Sequence, residues 1–257
     1  MRNKIVEIVG DAGKIITDRI HTKKEICSKS TDVDLVTEVD RQVELFMIER
    51  LSRLLPGSEF LSEETASTLK EADKLWVLDP IDGTLNFIHG FPMVCISLAL
   101  MEGGVLTQGY VYNPLTGHLF EAQQGLGARC NGRVIRVSAA ARFKECLLST
   151  GFPYDYPTNP ENNLRYFDHF NRLVQGVRRP GSAALDMAYT AAGTFDGFWE
   201  CHLKPWDVAA GILLVREAGG IVTNFDGGEY RFSDNCIVTG NPAIHALMLQ
   251  EIKTLRG

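Results

Sequence analysis

Between residues 93 and 137 the chain alternates apolar runs with pairs of turn residues, and few folds satisfy that pattern. Val94 to Met101 is nearly all apolar, as in a strand covered on both faces. Gly103-Gly104 marks a hairpin, Val105 to Tyr112 the next strand, and Asn113-Pro114 the next turn. His118 to Gln123, Gly127 to Cys130 and Arg133 to Val137 extend the series, with Asn131-Gly132 as a further turn. Sequential hairpins predict a meander, and so a largely antiparallel sheet.

Such a sheet needs helices to cover it. Ile5, Ile8, Val9, Ala12, Ile15, Ile16 and Ile20 have helical spacing. A second helix is predicted over 34–55, with Val39, Val43, Phe46, Met47, Leu51 and Leu54 as its stripe and Pro56-Gly57 as its stop. His21 to Ser30 reads as a polar loop, in which Lys29 by residue type alone is solvated surface. Phe60 and Leu61 predict a short strand before the adjacent acids Glu63 and Glu64. Asp40, near a helix start, complements the helix dipole or faces a site.

The second half opens with a strand at Cys146 to Thr150, then a loop over 153–163 and a helix over 163–174. Ala183 to Ala192 is a helix of small residues, which permits close neighbours, and Gly193 ends it. Phe195 to Glu200 is an aromatic strand ending in an acid. Trp206-Asp207 opens an apolar helix over 208–218; Asp207 there reads equally as an N-cap or as a ligand. Strands at 221–224 and 236–239 and a closing helix after Asn241-Pro242 complete the chain. No linker or repeat interrupts it. The change of pattern near residue 145 predicts one domain with two lobes, 1–144 and 145–257.

The chemistry concentrates in Trp76-Val77-Leu78-Asp79-Pro80-Ile81-Asp82-Gly83-Thr84-Leu85-Asn86-Phe87. Trp76 to Leu78 reads as a buried strand that Pro80 stops. Asp79 and Asp82 then share a tight turn, Gly83 permits an unusual backbone geometry, and Thr84 to Phe87 enters a short helix. Two carboxylates at a strand end beside amide donors suit a hard divalent cation bridging to a phosphate. An acidic turn that merely caps its own amides has the same local sequence.

A formal charge of −6 and a pI near 5.6 argue against general nucleic-acid binding. Arg178-Arg179 is the one obvious basic seed. Cys27, Cys95, Cys130, Cys146, Cys201 and Cys236 contain no C-x-x-C pair, which predicts buried, reduced thiols rather than a zinc site or a disulfide framework. With no signal-like or membrane-length apolar block, a cytoplasmic protein is expected.

Several separate segments together resemble the inositol monophosphatases, within the lithium-sensitive, magnesium-dependent phosphatases. They are Asp34-Leu35-Val36-Thr37 with Asp40, Glu63-Glu64, Trp76 to Phe87, Gly181-Ser182-Ala183-Ala184, and Trp206-Asp207-Val208-Ala209-Ala210-Gly211. Their order and spacing match over nearly the whole chain, and the run from Arg178 to Glu200 is most similar to the bacterial branch. The resemblance implies an α+β fold, a layered αβαβα sandwich with mixed, largely antiparallel sheets, shared with fructose-1,6-bisphosphatase. It implies two to three Mg²⁺ ions held by Glu63, Asp79, Asp82, Asp207 and the carbonyl of Ile81, with Asp79 bridging. Catalytic Asp40, Glu63 and Thr84 would prepare the attacking water. Gly83 and Thr84 would hold the phosphate; Gly181, Ser182, Ala183 and Glu200 would meet the hydroxyls of a small phosphorylated polyol or sugar. Lys29 would lie on a mobile loop. The implied reaction is hydrolysis of myo-inositol-1-phosphate by a homodimer; fructose-1,6-bisphosphate is the alternative substrate, and a regulatory module binding RNA or a transcription complex the alternative class.

Overall fold

The apolar spacing of the first segment produces helix α1 (Arg2–Arg19), whose Ile5, Val9, Ala12 and Ile16 are fully buried. This computed structural model describes residues 1–22, 26–28, 35–65, 72–155, 158–159 and 162–256, so Lys29 lies outside the described residues. Strands β1 (Ile26–Ser28) and β2 (Leu35–Thr37) form an antiparallel ribbon where a polar loop and a helix start were expected. Helix α2 (Glu38–Leu54) begins only at residue 38, because Thr37 is its N-cap: Thr37 Oγ1 accepts from Val39 N at 3.2 Å, and Asp40 Oδ2 accepts from Thr37 N at 2.9 Å. Leu35-Val36-Thr37 is extended by its β-formers, against the longer helix that periodicity alone predicts.

Next come β3 (Glu59–Ser62), β4 (Lys74–Asp82), the short helix α3 (Thr84–His89), β5 (Cys95–Glu102), β6 (Val105–Asn113), β7 (His118–Gln123), β8 (Gly127–Cys130) and β9 (Arg133–Val134). They pair in chain order as a seven-stranded sheet, parallel only between β3 and β4. The expected meander is present. The second sheet is built from β10 (Leu147–Thr150), α4 (Leu164–Leu173), β11 (Gly176–Arg178), α5 (Ala183–Ala191), β12 (Gly197–Cys201), α6 (Pro205–Glu217), β13 (Ile221–Asn224), β14 (Cys236–Gly240) and α7 (Pro242–Arg256). Its strand order is β11-β10-β12-β14-β13.

Strand alternation sorts the side chains into layers. Trp76 and Leu78 of β4 pack with α1 and α2, alongside Val43, Met47 and Leu98. Leu75 and Val77 face the other way, onto α5 and α6 through Met187, Ala210 and Leu213. The same two helices cover Phe198 and Ile237 of the second sheet, whose far face carries Trp199 and Val238 against Phe170, Ile244 and Met248 of α4 and α7. The order is therefore helix, sheet, helix, sheet, helix, and each large side chain buried in it contributes about 1.5–3 kcal/mol. The small residues allow the middle layer to seat closely: a Cβ on Gly109 of β6 would lie 3.0 Å from the Ala210 carbonyl oxygen of α6.

One cysteine expectation is corrected. Cys201 and Cys236 face each other across β12 and β14, with Cα atoms 4.0 Å apart, and are joined as a disulfide. Their 35-residue separation hides a pairing that strand register makes direct. Cys95 and Cys146 are buried free thiols as expected, whereas the free thiols of Cys130 and Cys27 are half-buried and exposed. Among the described residues no helix is long and apolar enough to cross a membrane.

Candidate active site

The site begins with an irregularity at the end of β4. Asp79 pairs with Ser97 and Asp82 with Cys95, so three residue steps on β4 span two on β5. Residues three apart on a regular strand point to opposite faces. The extra residue in this bulge turns Asp79 and Asp82 toward one cavity. Pro80 does not end the strand, as its lack of an amide hydrogen suggests; it sits in the bulge, where no ladder bond is required of it. Asp79 Oδ1 accepts from Ile81 N at 3.0 Å.

Gly83 follows with φ +93°, and a Cβ there would stand 2.7 Å from the Met93 carbonyl oxygen, so both conformation and space require glycine. Thr84 opens α3, with its Oγ1 3.0 Å from both Asp40 Oδ1 and the Ile81 carbonyl oxygen. Asp40, from the first turn of α2, is fully buried behind Thr84, and burial raises its pKa above the ordinary carboxylate range. Asn86 Nδ2 donates to the carbonyls of Met93, at 2.8 Å, and Pro180, at 2.9 Å, tying α3 to the start of α5.

From the opposite side, α5 docks its first turn on Asp82. Ser182 Oγ and Ala184 N each donate to Asp82 Oδ2 at 2.7 Å. The Ser182 hydroxyl also accepts from Leu185 N at 3.3 Å as the helix N-cap. Asp207 is not the N-cap of α6, as its position before Val208 suggests: the helix starts at Pro205, and Asp207 Oδ2 reaches back to accept from Lys204 N at 2.6 Å. That bond uses one carboxylate oxygen.

These elements enclose a cavity of about 490 Å³. Of the residues expected at the site, Glu63, Asp79, Ile81, Asp82, Gly83, Thr84, Gly181, Ser182, Ala183, Glu200 and Asp207 line it. Asp40 stands one hydrogen bond behind, at Thr84. Asp186, outside the expected set, is buried in the first turns of α5 and lines the same cavity. A lone aspartate in a helix of small apolar residues was the available signal. Arg179 and Lys204 also line the cavity, whereas the Arg178 guanidinium folds onto its own strand, donating to the Val177 carbonyl at 3.3 Å.

The electrostatics are those of crowded, desolvated acids. Burial, with repulsion from Glu63, pushes Asp82 up to about 6 despite three compensating hydrogen bonds. Burial also raises Asp207 well above the usual carboxylate range, helped by the charges of Asp82 and Glu63. Glu200 is pushed up to about 8 by burial, with Arg179 opposing the shift. Asp186 is raised by burial and by Glu200. Among the described residues no three His, Cys, Asp or Glu side chains close into a ligand cluster as they stand. The donor set still fits a hard cation: all-oxygen, buried, mutually repelling, and open to neutralisation by a divalent charge.

The chain is similar to known proteins over nearly its whole length. The sequence profile of the inositol monophosphatase family matches residues 1–256. An inositol-1-monophosphatase of Synechocystis sp. is 43% identical over 231 residues, covering 89% of this chain and 80% of that protein. The Nus factor SuhB of Pseudomonas aeruginosa is 39% identical over 259 residues, covering 98% and 96%. The crystal structure of the extragenic suppressor protein suhB from Bartonella henselae superposes with a TM-score of 0.90 at 37% identity, covering 98% of each chain.

Proposed function

The chain belongs to the inositol monophosphatase family, a family of metal-dependent phosphatases, and from that premise we propose that it hydrolyses myo-inositol-1-phosphate with Mg²⁺. The observation that carries this reading is the convergence of Glu63, Asp79, Asp82 and Asp207, from three parts of the chain, on the cavity that Gly83 and Thr84 also line. Those four carboxylates and the Ile81 carbonyl would hold two to three ions. Bound Mg²⁺ would neutralise the phosphoryl oxygens and make a nearby water a stronger nucleophile.

The protein's own groups do the rest. Thr84 Oγ1 lies 3.0 Å from both Asp40 Oδ1 and the Ile81 carbonyl oxygen, so its hydrogen is directed away from the cavity and its lone pairs are left to accept a hydrogen bond that orients a water. Glu63, on the acidic side of the cavity, would take the proton that this water loses as it attacks. Gly83 and Thr84 present backbone at the phosphate end. Glu200, with the Gly181–Ala183 turn, faces the polyol hydroxyls. Glu200 keeps its proton to about pH 8, so it can donate as well as accept a hydrogen bond there. The division into a metal-binding lobe at 1–144 and a substrate-side lobe at 145–257, with Asp207 crossing over, belongs to the same proposal, as do a homodimer and a cytoplasmic setting.

Arg179 and Lys204 favour a second reading, because two cations at the cavity wall suit a second phosphate, as in fructose-1,6-bisphosphate. Likeness to proteins named Nus factor SuhB supports a regulatory role beside catalysis. The test is phosphate release from inositol-1-phosphate, fructose-1,6-bisphosphate, histidinol phosphate and 3′-phosphoadenosine phosphate, with Mg²⁺ titrated and EDTA as control. Preference for inositol-1-phosphate supports the first reading, and comparable bisphosphate turnover supports the second. No Mg²⁺-dependent release from any of them contradicts both and leaves the regulatory role.

A further inference from the structure

Helix α2 reaches the site at two points, one turn apart. Asp40 holds Thr84, and Glu44, four residues on, lies on the same face of the helix. Glu44 is fully buried. Its Oε1 accepts from the Ser62 hydroxyl, from Glu64 N at 3.2 Å and from Thr65 N at 3.2 Å. These donors flank Glu63 on both sides: the last residue of β3 and the next two of the turn that leaves it. Glu63 N is tied separately, to the Leu78 carbonyl of β4 at 3.3 Å. The backbone on either side of Glu63 is therefore pinned, from α2 and from β4, while its side chain faces the cavity.

The arrangement is costly. A polar group taken out of water is costly unless it is paired, and here all three bonds fall on one oxygen while Oε2 has no hydrogen-bond partner among the described residues. Closing a turn alone does not need three donors gathered on one buried acceptor oxygen. Fixing the turn that carries a cation ligand does, because outer groups that orient a ligand control how well it meets the metal.

We propose that Glu44 is a positioning residue for Glu63: it sets the path of residues 62–65 so that the Glu63 carboxylate meets the cation. The proposal rests on the reading of Glu63 as a metal ligand given above. It also makes α2 a common brace, whose one face sets both Thr84 and Glu63.

The experiment compares full-length wild type with Glu44→Ala, Glu44→Gln and Ser62→Ala. Mg²⁺ affinity is read by calorimetry and by Mn²⁺ electron paramagnetic resonance, beside thermal unfolding and the Mg²⁺ dependence of phosphate release. Glu44→Ala is expected to weaken cation binding by about 10–100-fold, with KM for inositol-1-phosphate at saturating Mg²⁺ little changed. Glu44→Gln keeps an acceptor oxygen for the three donors and is expected to recover most of the affinity. Ser62→Ala removes one donor and should shift affinity in the same direction by less; it decides the matter if Glu44→Ala does not fold. A folded Glu44→Ala, or in its absence Ser62→Ala, with wild-type cation affinity and only a lower Tm overturns the proposal. So does a Glu44→Gln no better than Glu44→Ala, since charge rather than position would then be the cause. Wild-type protein that binds neither cation overturns the metal reading itself, and Glu44's role with it.

Discussion

Ser182 donates its hydroxyl hydrogen to Asp82 Oδ2 across 2.7 Å, although 100 residues separate the two in sequence. The bond joins the end of β4 to the start of α5 at the floor of the cavity. Ser182→Ala removes it together with the N-cap bond that the hydroxyl accepts from Leu185 N. A hydrogen bond to a charged group is worth about 1.5–3 kcal/mol, so the Mg²⁺ concentration for half-maximal phosphate release is expected to rise about tenfold or more. An unchanged Mg²⁺ dependence in a folded variant would show that Asp82 is oriented without Ser182.

Gly151 sits against Glu200, and a Cβ there would lie 2.2 Å from Glu200 Oε1. Gly151→Ala is therefore expected to displace the Glu200 carboxyl. KM for inositol-1-phosphate should rise about tenfold, the cost of one misplaced polar contact of about 1–3 kcal/mol, while p-nitrophenyl phosphate, which has no polyol, should be hydrolysed nearly as before. Equal losses on both substrates would place the damage at the reacting end of the cavity.

Glu200 also sets a pH dependence. Burial raises its pKa from 4.5 to about 8 in the folded protein. Between those values the folded state binds a proton that the unfolded state has lost, so stability falls as pH rises. Metal-free protein in EDTA is expected to lose thermal stability between pH 5 and 8, and Glu200→Gln to flatten that slope. A variant with the wild-type slope would contradict the assignment.

How much of this was visible in the sequence depended on the range of the interaction. The meander at residues 93–137 was legible because each hairpin is local, and the helix faces because their period is. The cavity-lining acids were legible through the resemblance rather than through local pattern, which left Asp79, Asp82 and Asp207 open to capping roles. Residues set by register or by packing between distant elements were not. Cys201 and Cys236 meet only because β12 and β14 align; Pro80 suggested a strand end until the pairing of β4 with β5 revealed a bulge; and Glu44 resembled any polar residue of α2 until Ser62, Glu64 and Thr65 were seen around it.

The Cys201–Cys236 disulfide closes a loop of 35 residues, which in the chain-entropy account contributes about 4 kcal/mol. Thiol titration in denaturant is expected to count four free cysteines without reductant and six with it. Reduction should lower the denaturant midpoint. Six thiols in both conditions would mean that the pair is held as thiols.

The central claim is that Asp79 holds the catalytic cations. It is tested most directly by Asp79→Asn, assayed for inositol-1-phosphate hydrolysis at saturating Mg²⁺ beside circular dichroism and thermal unfolding. The account predicts a folded protein whose turnover falls by about 10³-fold or more, because neutralisation of the developing charge is lost with the cation. Near-normal turnover in that folded variant would contradict it.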